Sequence, residues 1–149
     1  MENNWIDKVL KEQYQFVRVL KRNEKTEICV FRHKTLGKQI IKRTMQSSGE
    51  VYSVLKNFSH PNIANIYDVI KTDTGIIVLE EFIDGQTIAD YLQESLYVPS
   101  GVKKIASALC DALDFLHSHK IIHKDIKPEN VMIDNNGNVK LIDYDAARI

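Results

Sequence analysis

The spacing of apolar and polar positions changes period along this chain. Trp5, Ile6, Val9 and Leu10 fall at helical intervals and predict a short amphipathic helix within residues 1–13. From residue 14 to 41 the rhythm turns strand-like. Phe16, Val17, Val19 and Leu20 predict a first strand, Ile28, Cys29, Val30 and Phe31 a second, and Gln39-Ile40-Ile41 the start of a third. Polar turns at 21–27 and 34–38 separate them, the second carrying Gly37. Ser47 and Glu50 have capping-box spacing and predict a helix start, with Val51, Val54, Leu55 and Phe58 as its apolar face. Segments 63–69 and 75–79 predict two more strands joined by Lys71-Thr72-Asp73-Thr74. These elements make a five-stranded antiparallel sheet with one helix, an α+β arrangement.

After Asp84-Gly85 the pattern becomes helical. Thr87 is placed to cap a short helix through Gln93, and Pro99-Ser100 opens a long one to about His119. Val102, Ile105, Ala106, Leu109, Ala112, Leu113 and Leu116 give that helix its buried stripe. Two short strands, at 131–133 and 139–142, flank the turn Asn135-Asn136-Gly137-Asn138. The expected division is an N-terminal helical extension at 1–13, a sheet-rich part at 14–83 and a helix-rich part at 84–149.

The 149 residues carry 20 Lys plus Arg and 20 Asp plus Glu, so the formal net charge is zero. That argues against bulk-charge binding to nucleic acid or to a membrane surface. At 44% hydrophobic and 27% charged residues the chain has a globular composition. No apolar run reaches the ~20 residues of a membrane helix, and Met1-Glu2-Asn3-Asn4-Trp5 lacks the order of a secretory signal. Cys29 and Cys110 match no metal spacing and read as reduced core residues, which points to a cytoplasmic location. Trp5 reads as a packing residue, and His33, His60, His117 and His119 show no metal-ligand spacing.

The strongest chemical signal is Ile122-His123-Lys124-Asp125-Ile126-Lys127-Pro128-Glu129-Asn130, followed later by Asp143-Tyr144-Asp145. Phosphoryl transfer needs a carboxylate to orient a hydroxyl and accept its proton, and a cation for the moving phosphate. It also needs an amide oxygen and a second carboxylate to hold magnesium against phosphate oxygens. Asp125, Lys127, Asn130 and Asp143 supply those four groups in that order.

Here the chain resembles the eukaryotic-type (Hanks-type) serine/threonine protein kinase superfamily. The His123–Asn130 stretch is close to the catalytic loop HRDxKPxN, and Asp143-Tyr144-Asp145 to the DFG motif. Lys127-Pro128 resembles the serine/threonine branch, and His60-Pro61-Asn62-Ile63 and Glu80-Glu81-Phe82-Ile83-Asp84-Gly85 match further family blocks. The overall style resembles small bacterial kinases. The resemblance implies a kinase-like fold, a sheet lobe at 14–83 and a partial helical lobe at 84–149, with ATP, Mg2+ and a protein substrate. It makes Asp125 the base and Lys127 the γ-phosphate contact, with Asn130 and Asp143 as magnesium ligands. Glu81 and Ile83 would offer backbone groups to adenine, and Leu20 and Ile28 would border the nucleotide. Lys42 would meet the α- and β-phosphates as the VAIK lysine does, with Glu50 as its helix partner. His123 would brace the loop.

The sequence departs from the family at several places. The phosphate loop GxGxxGxV aligns with residues 20–28, where every glycine is gone, so weaker or altered ATP binding is expected, with Lys21, Arg22 or Lys25 substituting by charge. Arg43 is a rival to Lys42, and counting back from His60 puts Val51 at the glutamate position. Glu80 falls at the normally apolar gatekeeper position, and Lys124 and Asp145 replace the loop arginine and the DFG glycine. The family's domain runs to roughly 250–300 residues, so the expectation is a fragment with little transferase activity alone. Its incomplete helical lobe would leave an apolar face favouring self-association or a partner. The competing reading is a pseudokinase or regulatory module that binds nucleotide weakly or binds a partner.

Overall fold

The computed structural model describes residues 4–94 and 99–149, so residues 1–3 of the expected N-terminal segment lie outside it. The chain forms two compact units. The first takes Met1–Asn57 and Asn65–Phe82, the second Phe58–Ala64 and Ile83–Ile149. None of the described helices is long and apolar enough to cross a membrane.

The first unit begins with α1 (Asn4–Gln13), then β1 (Tyr14–Arg22), β2 (Thr26–His33), β3 (Gln39–Met45), α2 (Glu50–Leu55), β4 (Ile66–Lys71) and β5 (Ile76–Glu81). The five strands are antiparallel in the order β1-β2-β3-β5-β4. Opposed residues share a face, so the register sorts the side chains. Ile28 lies opposite Arg43, Val30 opposite Ile41, and Ile41 opposite Glu80. One face therefore carries Ile28, Val30, Ile41, Arg43, Val78 and Glu80. The other carries Phe31, Ile40, Lys42, Ile77 and Leu79.

Each face has its own cover. Ile6 and Leu10 of α1 pack on Ile40, Ile70 and Ile77, with Tyr14, Phe31 and Leu79 against them. Burial of each of these large side chains is worth about 1.5–3 kcal/mol. On the opposite face Ile28, Val30 and Ile41 form a second cluster with Val17 and Phe82. Gly49, which begins α2, sits at φ 73°, and a Cβ there would meet Ile76. Lys34 ties the β2–β3 turn to the end of α1: its N–H donates to Gln13 O and its Nζ to Lys11 O, both at 2.9 Å.

The second unit holds β6 (Gly85–Thr87), α3 (Ile88–Glu94), α4 (Pro99–Ser118), a 3-10 turn (Pro128–Asn130), β7 (Val131–Asp134) and β8 (Val139–Leu141). Its sheet runs β6-β7-β8. Residues 58–64 join it because Ala64 N donates to Leu141 O, Leu141 N to Asn62 O and Asn62 Nδ2 to Val139 O. Thr87 Oγ1 accepts from Asp90 N at 3.2 Å and starts α3. These are the elements of a protein-kinase sheet lobe and a partial, mainly helical lobe.

The structure corrects several local expectations. No side-chain hydrogen bond caps α2. Ser47 Oγ instead accepts from Gly49 N, so the capping-box spacing builds a turn before the helix. Phe58 lies beyond α2 and packs with Phe115 and His119. Trp5 is 52% exposed because Ile6 and Leu10 define the packed stripe of α1. Cys29 is buried, but Cys110 is exposed on α4, where Ala112 and Leu116 are the fully covered positions. Gly85 is a strand residue: it pairs with Asp134, and a Cβ on it would collide with the Ile133 carbonyl.

Candidate functional site

Three of the four proposed transfer residues sit on one short loop of the second unit. Pro128 opens a single 3-10 turn that carries Asn130 to the start of β7. Asn130 is buried, and its Nδ2 donates to Asp125 O at 2.9 Å and to Asp125 Oδ2 at 3.0 Å. Both amide hydrogens are thus turned toward Asp125, and Oδ1 is the acceptor end of the group. Lys127 Nζ stands 3.6 Å from the same Asp125 Oδ2, in a pair that is half-exposed. One carboxylate oxygen is therefore held by an amide and faced by an ammonium.

His123 braces this loop. It is 1% exposed, and its Nδ1 accepts from Asp125 N at 3.2 Å. That leaves the proton on Nε2, which donates to Ile142 O at 3.0 Å. Ile142 N in turn donates to Asn130 O at 2.9 Å. The residue before Asp143 is thus bonded to both ends of the Asp125 loop. Lys124 and Asp143 have φ of 70° and 61°. Left-handed backbone at non-glycine residues costs about 1–3 kcal/mol and concentrates at functional sites. Asp143 Oδ1 accepts from Asp145 N at 3.1 Å, which fixes its turn. Tyr144, next to it, is buried, with its hydroxyl 2.9 Å from Ala64 O and 3.2 Å from Leu141 O.

The oxygens of Asn130 and Asp143 are hard donors of the kind magnesium takes, in the small number it uses when phosphates supply the rest. Among the described residues no group of three or more His, Cys, Asp or Glu forms a protein-only metal cage. The donor set therefore fits a cation shared with phosphate.

The first unit differs from expectation at Lys42 and Glu50. Lys42 Nζ pairs with Asp7 of α1 at 3.2 Å, not with Glu50, which is exposed at the start of α2. The cause is strand parity: Lys42 follows Ile40 onto the face that α1 covers. Arg43 takes the opposite face and pairs with Glu80, Nη2 to Oε1 at 2.9 Å and Nε to Oε2 at 3.4 Å. The partnership of Arg43 and Glu80 is the feature sequence reasoning missed. Its signal was the odd charge at Glu80, two residues beyond the Val78 that lies opposite Arg43.

The glycine-free turn between β1 and β2 is closed by its own residues. Asn23 Oδ1 accepts from Lys25 N and Thr26 N, both at 2.9 Å. Arg22 Nε donates to Glu27 Oε2 at 2.7 Å, and this bond outweighs burial to hold the Glu27 carboxyl below its usual range. The turn thus spends on itself the Lys25 and Thr26 amides and the charge of Arg22, one of the three cations expected to substitute at phosphate. Leu20 is exposed beside a register shift in β1, whereas Ile28 is buried on the face of Arg43. Glu81 N donates to Asn65 O at 2.9 Å, so that N–H is engaged within the first unit. Ile83 is buried in the second unit.

Comparison with known proteins identifies the family. The family model of the protein kinase domain matches residues 14–149, and the chain belongs to that family. It is 36% identical over 121 residues to the SNF1-like protein kinase ssp2 of Schizosaccharomyces pombe, covering 78% of this chain and 20% of that protein. It is 36% identical over 90 residues to CBL-interacting serine/threonine-protein kinase 21 of Arabidopsis thaliana, covering 60% of this chain and 22% of that one. It is 27% identical over 145 residues to sperm motility kinase Z of Mus musculus, covering 93% and 29%. The chain spans between a fifth and a third of the length of these relatives.

Proposed function

We propose that this chain carries the nucleotide-binding and proton-accepting residues of a protein serine/threonine kinase, which moves the γ-phosphoryl group of ATP to a protein hydroxyl. The observation that carries the reading is the Asp125 carboxylate, held by Asn130 and faced by Lys127 on one braced loop. Asp125 orients the hydroxyl and accepts its proton, with the oxygen not engaged by Asn130 as the accepting end. Lys127 swings from Asp125 to the transferring phosphate as that charge moves. His123 and the Ile142 backbone keep the Asp125 and Asp143 turns together. Asn130 Oδ1 and the Asp143 carboxylate would hold magnesium, which when bound neutralises charge on the phosphate oxygens. Glu81 and Ile83 are assigned to the adenine, and Ile28 to the wall beside it. Little or no Asp125-dependent phosphorylation is expected of the 149 residues alone.

Calorimetric titration with ATP tests this reading. Binding is expected to strengthen with magnesium, and the magnesium gain is expected to vanish in Asp143→Ala. ATP binding indifferent to the metal would instead support a regulatory nucleotide-binding module, a reading favoured by the self-closed β1–β2 turn.

A further inference from the structure

Residues of α1, β1, β2 and β3 line a cavity of about 260 Å³ in the first unit. Leu10, Tyr14, Phe16 and Phe31 give it apolar walls, and Asp7, Lys11 and Lys42 give it charge. The Phe16 and Phe31 rings meet edge to face at 5.8 Å, and Phe16 is 53% exposed. Lys42 Nζ stands 5.9 Å from the centroid of the Phe31 ring and 3.2 Å from Asp7 Oδ1. The lysine side chain is 19% exposed, its aspartate partner 60%. Taking an ammonium so far out of water is costly when its counter-ion stays largely in it. Tethering α1 does not offset that cost. Exposed pairs contribute about 0–1 kcal/mol, and Ile6, Leu10 and two hydrogen bonds from Lys34 already hold the helix. Two cations, Lys11 and Lys42, stand against one anion, so the lining is net positive.

We propose that this cavity binds a small aromatic carboxylate, one ring or a fused pair bearing a short acid arm. The volume sets the size: sites for drug-sized molecules run to about 300–1,000 Å³, and this one lies just below. The ligand ring packs on Phe16 and Phe31, whose edge-to-face arrangement leaves room for a third aromatic partner. The carboxylate meets Lys42 and Lys11, and supplies the negative charge that half-exposed Asp7 provides only in part. The same two lysines disfavour a cationic ligand. Asp7, Leu10 and Lys11 belong to α1, which precedes the matched residues 14–149. The cavity therefore depends on a helix that the shared domain does not include. It lies on the Phe31, Ile40 and Lys42 face of the sheet, opposite the Ile28–Val30–Ile41 cluster, so the proposal stands apart from the nucleotide-binding reading.

The test is calorimetric titration of the full 149-residue chain with indole-3-acetate and with indole-3-acetamide, which keeps the rings and loses the charge. The acid should bind about 10- to 100-fold more tightly than the amide, the effect of a charge-assisted hydrogen bond. Lys42→Met should bring the two affinities together, and Lys11→Gln should narrow the gap by a smaller factor. A change in fold weakens acid and amide alike and cancels from their ratio. Asp7→Asn removes the competing anion and should tighten the acid severalfold, a gain that damage to the fold does not mimic. Phe16→Ala should weaken both ligands together. Equal binding of acid and amide by the wild-type chain, or no binding of either, overturns the proposal. So does a ratio that survives Lys42→Met, acid binding that Asp7→Asn leaves unchanged or weakens, or binding indifferent to Phe16→Ala. An unchanged ratio in Lys11→Gln overturns the part given to Lys11. Displacement of the acid by ATP puts the probe in the nucleotide site and overturns the proposal as well. The peptide acetyl-Asp-Phe-Glu-amide, if it binds more tightly than the free acid and through Lys42, makes the cavity a peptide-docking surface and overturns the small-ligand assignment.

Discussion

Each unit contains a pair of opposite charges at the positions that matter, and the two pairs are built differently. In the second unit, Lys127 and Asp125 are neighbours on a loop, 3.6 Å apart and half-exposed. The loop's shape comes from hydrogen bonds made by Asn130 and His123, so the pair can part without disturbing the fold. In the first unit, Arg43 and Glu80 come from separate strands, are nearly sealed from water, and are set by strand register. A mobile, solvated pair suits a step in which charge moves. A buried, two-point pair suits a fixed landmark. The same residue types thus serve different ends, and burial decides which.

The sharpest way to break this contrast is to remove one charge from the buried pair. Arg43→Met removes the guanidinium that pairs with the buried Glu80 carboxylate, and is expected to cost about 3–5 kcal/mol of stability. The double variant Arg43→Met/Glu80→Met should recover most of that loss. Lys127→Met, which breaks the exposed pair, should cost less than about 1 kcal/mol. Urea midpoints of the three variants check the order. If Arg43→Met and Lys127→Met come out alike, the two pairs are not different in kind.

The contrast also explains what could be read from the chain beforehand. Asp125, Lys127 and Asn130 lie within one turn of each other, so residue type and spacing nearly determine their geometry. β3 offered no such guide. Ile40 and Ile41 are both apolar because α1 covers one face of the sheet and the Ile28–Val30–Ile41 cluster the other. Alternation is lost where both faces are covered, and with it the cue that separates Lys42 from Arg43. β6 was missed because Gly85–Thr87 is too short to show a period. The β1–β2 turn was legible as a turn, but its closure by Asn23 is a side-chain event that glycine counting does not see.

A smaller effect probes how the second unit holds its Asp143 turn. The Tyr144 hydroxyl is buried between the carbonyls of Ala64 and Leu141. Leu141 O also receives the Ala64 N–H, so Ala64 O is the acceptor that depends on the phenol. Tyr144→Phe keeps the ring against His123 and removes the hydroxyl that donates to these carbonyls. The expected cost is about 1 kcal/mol, seen as a lowered urea midpoint. A loss as large as that of Arg43→Met would show that the braced turns are as sensitive to a buried polar group as the sheet is.

The least effect at neutral pH, and the clearest pH signature, belongs to Asp134 at the end of β7. Oδ1 accepts from Asn136 N at 2.9 Å and Asn138 N at 2.8 Å, and Oδ2 from Asn138 Nδ2 at 3.1 Å. Burial alone would raise this carboxyl, but the Asn138 and Asn136 hydrogen bonds and the nearby Lys140 outweigh it and hold the group below its ordinary value of 3.8. A carboxyl lowered in the folded state binds fewer protons there than in the unfolded chain. Its stabilisation is therefore fully present above the ordinary value and is lost as pH falls through the lowered one. Asp134→Asn preserves the shape of the turn and removes the titration, so its melting temperature should fall less steeply than that of wild type below about pH 4. Parallel acid limbs for the two proteins would mean that the hairpin's hydrogen bonds do not discriminate the ionised side chain. The solvated loops of the second unit would then contribute shape without charge selectivity.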